Sequence, residues 1–207
     1  MEHQELEVKF YVQDLEGVQR RLEALGAHRV QPRTLETNLR FDTPGGDLTR
    51  AFRALRLRQD SAARLTYKGP AEVREGVRVR PEIEFVVSDF GAAREFLQAL
   101  GYQVSLIYEK YRATYDLGEV HVTLDELPYG NFVEIEGPDP ASILAVNTSL
   151  NLDWEARLPD SYTVLFSKVR SRLGLRFRDL IFENFEGLQV QAEDLDARPA
   201  DLQKPGF

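Results

Sequence analysis

The chain has no cysteine, a single methionine, a single tryptophan and three histidines among its 207 residues. Without cysteine there is no disulfide framework, no thiolate nucleophile and no thiolate metal site. That fits a reducing cytoplasm. His3, His28 and His121 are scattered, without the spacing of a zinc site, and are expected to be surface or partly packed groups. No glycine-rich phosphate loop is present, and Thr43-Pro44-Gly45-Gly46 reads as a hairpin turn. No serine-histidine-aspartate order is evident. The N-terminus lacks an apolar signal region, and no apolar run approaches membrane-spanning length, so a soluble cytoplasmic protein is the default expectation. A basic excess is missing too. The formal net charge is -8, so the exterior as a whole should repel nucleic acid and anionic membranes. Any anion site must be a local, sheltered cluster of cations.

What is present is charge arranged with a period of two. Hydrophobic residues make up 43% of the chain, enough to bury a core, and charged residues 29%, slightly above the usual share. In Glu5-Leu6-Glu7-Val8-Lys9-Phe10 the apolar residues fall on one strand face, and two carboxylates and an ammonium fall on the other. Such a face reads either as a metal-plus-phosphate surface or as an ordinary wet strand face. Other segments repeat it. Arg56 and Arg58 share a face in 54–58, Lys68 closes 65–68, and Arg78, Arg80, Glu82 and Glu84 alternate with apolar residues in 77–85. Lys110 and Arg112 pair in 109–112, Asp125 ends 121–125, and Glu134 and Glu136 repeat the opening acid pair in 132–136. Few Ser, Thr or Gln are mixed in, as they usually are on solvated strands. The alternative of salt-bridge ladders on an open sheet stands beside the ligand reading.

The pattern along the chain predicts a strand over about 2–12 and then a helix capped by Asp14, with Leu15, Val18, Leu22 and Leu25 on one face. Extended chain follows over about 28–42, with strands near 51–59 and 63–68, a polar loop at 69–76 and a strand at 77–87. A helix over about 89–100 carries Phe90, Ala93, Phe96, Leu97 and Leu100 as its apolar stripe. Strands near 103–116, 118–126 and 131–137 are separated by Asp116-Leu117-Gly118 and Pro128-Tyr129-Gly130. Helices are expected over 140–146 and 161–173. Residues 1–186 read as one domain. Residues 187–207 are polar and Pro-containing and read as a tail or loosely docked arm.

Short antiparallel strands of this spacing close into a barrel or pack as a sandwich. If the helices cover the outside, the charged faces point inward. Burying so many ions is costly unless opposite charges and ligands compensate. A hydrated tunnel with an acidic and a basic wall satisfies that balance. The acids would hold a hard divalent cation, Mg²⁺ or Mn²⁺, and the Arg and Lys residues a polyphosphate.

With these residues in place, Glu5-x-Glu7-x-Lys9 resembles the motif of the CYTH superfamily, the triphosphate tunnel metalloenzymes. Leu55-Arg56-Leu57-Arg58, Leu65-Thr66-Tyr67-Lys68-Gly69-Pro70, Arg80-Pro81-Glu82-Ile83-Glu84, Lys110-Tyr111-Arg112, Leu124-Asp125-Glu126 and 130–136 match its strand motifs in order, and the helix at Ser161-Tyr162 resembles its C-terminal helix. The resemblance runs over about 2–170. It implies an α+β fold, an eight-stranded antiparallel β-barrel with helices packed outside. It implies Glu5, Glu7, Asp125, Glu134 and Glu136 as metal ligands, with Glu82 and Glu84 nearby. Lys9, Arg56, Arg58, Lys68, Arg80, Lys110 and Arg112 would bind the triphosphate, with Lys9, Lys68 and Arg56 as the catalytic groups. The implied activity is metal-dependent hydrolysis of tripolyphosphate, thiamine triphosphate or a nucleoside triphosphate. The alternatives are class IV adenylate cyclase activity and a non-catalytic polyphosphate- or nucleotide-binding module. An RNA 5′-triphosphate end is the only nucleic-acid partner the resemblance admits, and it is compatible with a homodimer. One departure stands out: Arg40 lies where many members have a tyrosine, which in some members is credited, with a lysine, with activating water.

Overall fold

The protein is described by a computed structural model over residues 4–202; the expected start of the first strand, His3 and residues 203–207 lie outside the described residues. Its strands are β1 (Gln4–Val12), β2 (His28–Asp42), β3 (Ala54–Gln59), β4 (Ala63–Lys68), β5 (Glu72–Arg74), β6 (Val77–Val87), β7 (Gln103–Leu117), β8 (Val120–Leu127) and β9 (Gly130–Glu136). The helices are α1 (Leu15–Ala24), the single turn α2 (Asp47–Arg50), α3 (Phe90–Ala99), α4 (Pro140–Ser149) and α5 (Tyr162–Leu173). The strand order is β1-β9-β8-β7-β2-β3-β4-β6-β5, and a further pairing of β1 with β6 closes the ring. Eight strands therefore form a closed antiparallel barrel, and β5 pairs only with β6. The segment expected as a plain loop, 69–76, contains this short strand.

Helix starts follow local chemistry. Asp14, Asp89 and Asp139 each accept a hydrogen bond from a first-turn backbone N–H, at 2.8, 2.8 and 2.9 Å, satisfying donors that have no partner within the helix. The β8–β9 turn needs Gly130. Its φ is +148°, and a Cβ there would lie 2.8 Å from the Tyr11 ring.

The apolar strand faces point outward and are covered by helices. Val8, Phe10, Val122, Leu124, Val133 and Ile135 pack under Val18 and Leu22 of α1 and Ile143 and Val146 of α4. Leu39, Phe41 and Leu57 lie under Leu97 of α3. The α3 stripe is narrower than expected, because Phe96 and Leu100 are 62% and 60% exposed and only Leu97 is buried in the cluster. A further cluster of Tyr108, Phe132, Tyr162, Leu165, Phe166, Leu180, Phe185 and Leu195 draws Phe132 and Tyr108 from the same faces as Glu134 and Lys110. It fills one end of the barrel interior. The chain after 186 is not loosely docked over its described part. Leu195 and Ala200 are buried, Ala200 N–H donates to the Tyr11 carbonyl at 2.9 Å, and Asp201 accepts from the backbone of Gln13 and Asp14.

Candidate active site

The inward faces meet in one cavity of about 450 Å³, within the range of small-molecule sites. Its wall includes Glu5, Glu7 and Lys9 of β1, Glu36 and Arg40 of β2, and Arg56 and Arg58 of β3. Lys68 of β4, Arg78, Arg80, Glu82 and Glu84 of β6, Tyr108, Lys110 and Arg112 of β7, and Glu134 and Glu136 of β9 also line it. All expected site residues but one are thus brought together. The exception is Asp125, which is fully buried and does not line the cavity. It lies behind the wall, accepting from Arg112 Nε at 2.6 Å, Lys110 Nζ at 3.1 Å and the Tyr162 hydroxyl at 2.7 Å.

Strand register determines which charges meet. Lys9 stands opposite Glu134 at 3.0 Å. Glu7 stands opposite Arg78, also at 3.0 Å. Lys68 stands opposite Glu82 at 2.9 Å and also contacts Glu5. Arg56 and Arg58 reach Glu84 at 3.3 and 3.2 Å. Pro81, with no N–H to give the ladder, sits where β6 passes from pairing with β1 to pairing with β4. There Arg80 donates to the Gly69 carbonyl at 2.7 Å.

Three cross-strand pairs are like-charged: Glu7 opposite Glu136 on the acidic side, and Arg40 opposite Arg56 and Arg58 opposite Arg64 on the basic side. Such pairs destabilise a sheet unless a counter-ion joins them. The acidic side shows the consequence. Glu136 is reached by solvent, yet enclosure by the tunnel, then Glu5, Glu7 and Glu82, push its carboxyl up to about 7 against the pull of Lys68. Glu5 Oε2 is buried without a hydrogen bond. Among the described residues no three acidic or histidine side chains are gathered tightly enough, as they stand, to grip an ion together, because Lys68 and Arg78 draw Glu5 and Glu7 to themselves. The donors are nonetheless hard oxygens with an unmet demand for positive charge, which fits a divalent cation.

On the basic side, burial raises the Glu134 carboxyl, but Lys9 and Arg112 outweigh it and hold the group well below the usual range. Arg112 Nη2 lies 2.5 Å from Glu134. Several wall residues were not singled out from the sequence, among them Glu36, Tyr162 and Tyr108. Glu36, fully buried, lies 3.6 Å from Arg58 and 3.7 Å from Lys110. Tyr162, at the start of α5, has Lys9 4.3 Å and Lys110 5.1 Å from its ring centre. Tyr108 accepts a hydrogen bond from Arg56 at 3.3 Å. Strand alternation places Glu36 with Arg40 and Tyr108 with Lys110, so the signal was available for both. The helix-borne Tyr162 had no such signal. His121 lies at the cavity edge, half exposed and 2.6 Å from Asp116, and Trp154 packs beside Phe10.

Comparison with known proteins agrees with this architecture. A structure from Vibrio parahaemolyticus, provisionally described as an adenylate cyclase, superposes with a TM-score of 0.72 at 23% identity, covering 81% of this chain and 99% of that one. A protein of Pyrococcus horikoshii gives 0.63 at 29% identity over 76% of this chain and 96% of its own. A Hippeastrum protein, provisionally an adenylyl cyclase and described as having a dominant triphosphatase activity, gives 0.61 at 20% identity over 84% and 97%. No curated protein matches the sequence, and no helix among the described residues is long and apolar enough to cross a membrane. The CYTH domain model matches residues 3–151, which contain all nine strands, and the chain belongs to the CYTH family.

Proposed function

We propose that this protein is a divalent-metal-dependent triphosphatase that hydrolyses a linear triphosphate drawn into the barrel. The observation that carries the reading is the facing of two unbalanced walls in one cavity: a basic side with Arg40 opposite Arg56 and an acidic side with Glu7 opposite Glu136. A polyanion alone would satisfy the first and repel the second. A triphosphate with a metal satisfies both. The description of the Hippeastrum neighbour leans the same way.

Glu5, Glu7 and Glu136, with Glu82 and Glu134 at their sides, would hold Mg²⁺ or Mn²⁺, which supplies charge neutralisation on the phosphate oxygens. Arg56, Arg58 and Arg112 would grip phosphate oxygens by fork-like contacts, and Lys9, Lys68 and Lys110 as point charges. Arg80, tied to the Gly69 carbonyl, has less freedom to reach a ligand and would contribute mainly field. Asp125 acts in this reading through Lys110, Arg112 and Tyr162, whose positions it sets, rather than as a metal ligand. Hydrolysis then depends on positioning and on neutralising charge as the terminal bond breaks.

The test is product analysis with tripolyphosphate, thiamine triphosphate and ATP, each with Mg²⁺, Mn²⁺ or a chelator. Metal-dependent orthophosphate release is expected. Cyclic AMP with pyrophosphate from ATP would replace the reading with the cyclase. Metal-dependent binding without products would leave a binding module.

A further inference from the structure

Resting on the triphosphatase reading, we propose that Tyr108 is a catalytic residue whose phenolic oxygen takes the proton of the water that attacks the terminal phosphorus. Three buried tyrosines stand at the filled end of the barrel, and they are not equivalent. Tyr129 donates its hydroxyl proton to the Tyr162 carbonyl at 2.8 Å, and Tyr162 donates to Asp125 at 2.7 Å. Tyr108 accepts from Arg56 Nη1 at 3.3 Å and, among the described residues, makes no hydrogen bond as a donor. Its charged neighbours from each side are Arg40 of β2, Arg56 of β3 and Lys110 of its own strand, none of which can accept a proton. Asn38, directly opposite on β2, is fully buried and makes no hydrogen bond through either amide atom.

The Tyr108 proton is therefore either released or aimed at an oxygen that enters the cavity the residue lines. Burial alone would raise this phenol, but Arg56, Lys110 and Arg40 outweigh it and bring it below the ordinary tyrosine value. Burial and neighbouring anions leave Tyr129 and Tyr162 well above it. The site is also sheltered. Pairing of β8 with β7 begins only at Tyr111, and the exposed edge beside Tyr108 is covered by Leu180, which accepts from Glu109 N–H at 2.8 Å and donates to the Ile107 carbonyl at 2.9 Å.

The step balances. The phenolate takes one proton from water, and the hydroxide oxygen forms the new bond to the terminal phosphorus. The bond to the bridging oxygen breaks, with its electron pair leaving on the diphosphate. The proton passes from Tyr108 to solvent or product, restoring the phenolate. General-base assistance of this kind is worth roughly a hundredfold or more.

The experiment measures kcat with tripolyphosphate and metal across pH, and the Kd of non-hydrolysable imidotriphosphate, for the full chain. Tyr108→Phe is expected to lose roughly hundredfold or more in kcat while Kd stays within about threefold. A ring-fluorinated, more acidic tyrosine installed at 108 is expected to move the ascending, acidic limb of the pH profile, where the phenolate base forms, to lower pH. It also decides the matter if the phenylalanine variant misfolds. An unmoved limb overturns the proposal. So does a Tyr108→Phe variant within about fivefold of wild type, or one whose whole loss appears in Kd. Failure of the wild-type protein to turn over any triphosphate overturns the hydrolase reading and the role of Tyr108 together.

Discussion

Replacing Glu36 by glutamine probes the interior charge balance most sharply, because the native carboxylate sits deep in the basic wall with no hydrogen bond of its own. Burial works against its charge. Lys110, Arg112, Arg58 and Arg56 outweigh burial and bring its pKa down from the ordinary 4.5 to about 2. At roughly 1.4 kcal/mol per pKa unit, that corresponds to about 3 kcal/mol of stability, in line with the cost of breaking a buried charge pair. A group whose folded pKa is depressed contributes fully above its unfolded value and loses its contribution as pH falls through the folded value. Wild type should therefore lose this increment between about pH 4.5 and pH 2. Urea denaturation at pH 7 should show Glu36→Gln less stable by about 3 kcal/mol, with the two proteins converging toward pH 2. Triphosphate binding should move the other way, because the variant removes an anion that competes for Arg58 and Lys110. Equal stabilities at pH 7, or a difference that does not shrink with acid, would refute the assignment of Glu36 as the wall's resident counter-ion.

Glu136→Gln should weaken Mn²⁺ binding, followed by calorimetry, by at least tenfold, while metal-free thermal stability is unchanged or higher because the repulsion across Glu7 and Glu136 is relieved. Leu195→Ala should cost roughly 2–4 kcal/mol in chemical denaturation, since Leu195 is fully buried against α5 and its neighbours; a change under about 0.5 kcal/mol would mean that the C-terminal segment is not part of the folded core.

How much of this was legible in the sequence depends on the range of the interaction concerned. Alternation with a period of two is local, so the shared faces that carry Glu5, Glu7, Lys9, Arg56, Arg58, Lys110, Arg112, Glu134 and Glu136 could be read from each strand by itself, while their inward direction followed only from helices covering the other faces. The cap at Asp14 was legible for the same reason. The partners of those side chains were not, because they follow from register between strands distant in sequence. Asp125 shows the difference. Its segment places it with the inward charges, but its partners Arg112, Lys110 and Tyr162 come from β7 and α5, and it lies fully buried among them without lining the cavity. The chain after 186 misleads in the opposite direction. Polar residues dominate it, and its anchoring rests on a few apolar side chains, chiefly Leu195 and Ala200, too sparse to give a periodic signal.

The register also separates what holds the barrel together from what is set for a ligand. Lys9 against Glu134, Arg78 against Glu7, and Lys68 against Glu82 pair opposite charges and can stand without any guest. Glu7 against Glu136 and Arg40 against Arg56 cannot neutralise each other. If salt-bridge ladders alone explained the charged faces, cross-strand partners would be complementary throughout, since like charges directly opposite destabilise a sheet. These two like-charged pairs lie on opposite sides of one cavity and carry opposite signs, and although Arg78 reaches Glu7 and Glu84 reaches Arg56, Glu136 and Arg40 make no ion pair among the described residues. A ligand that satisfies both must present a cation to one wall and an anion to the other, as a metal-bound triphosphate does and neither partner alone can.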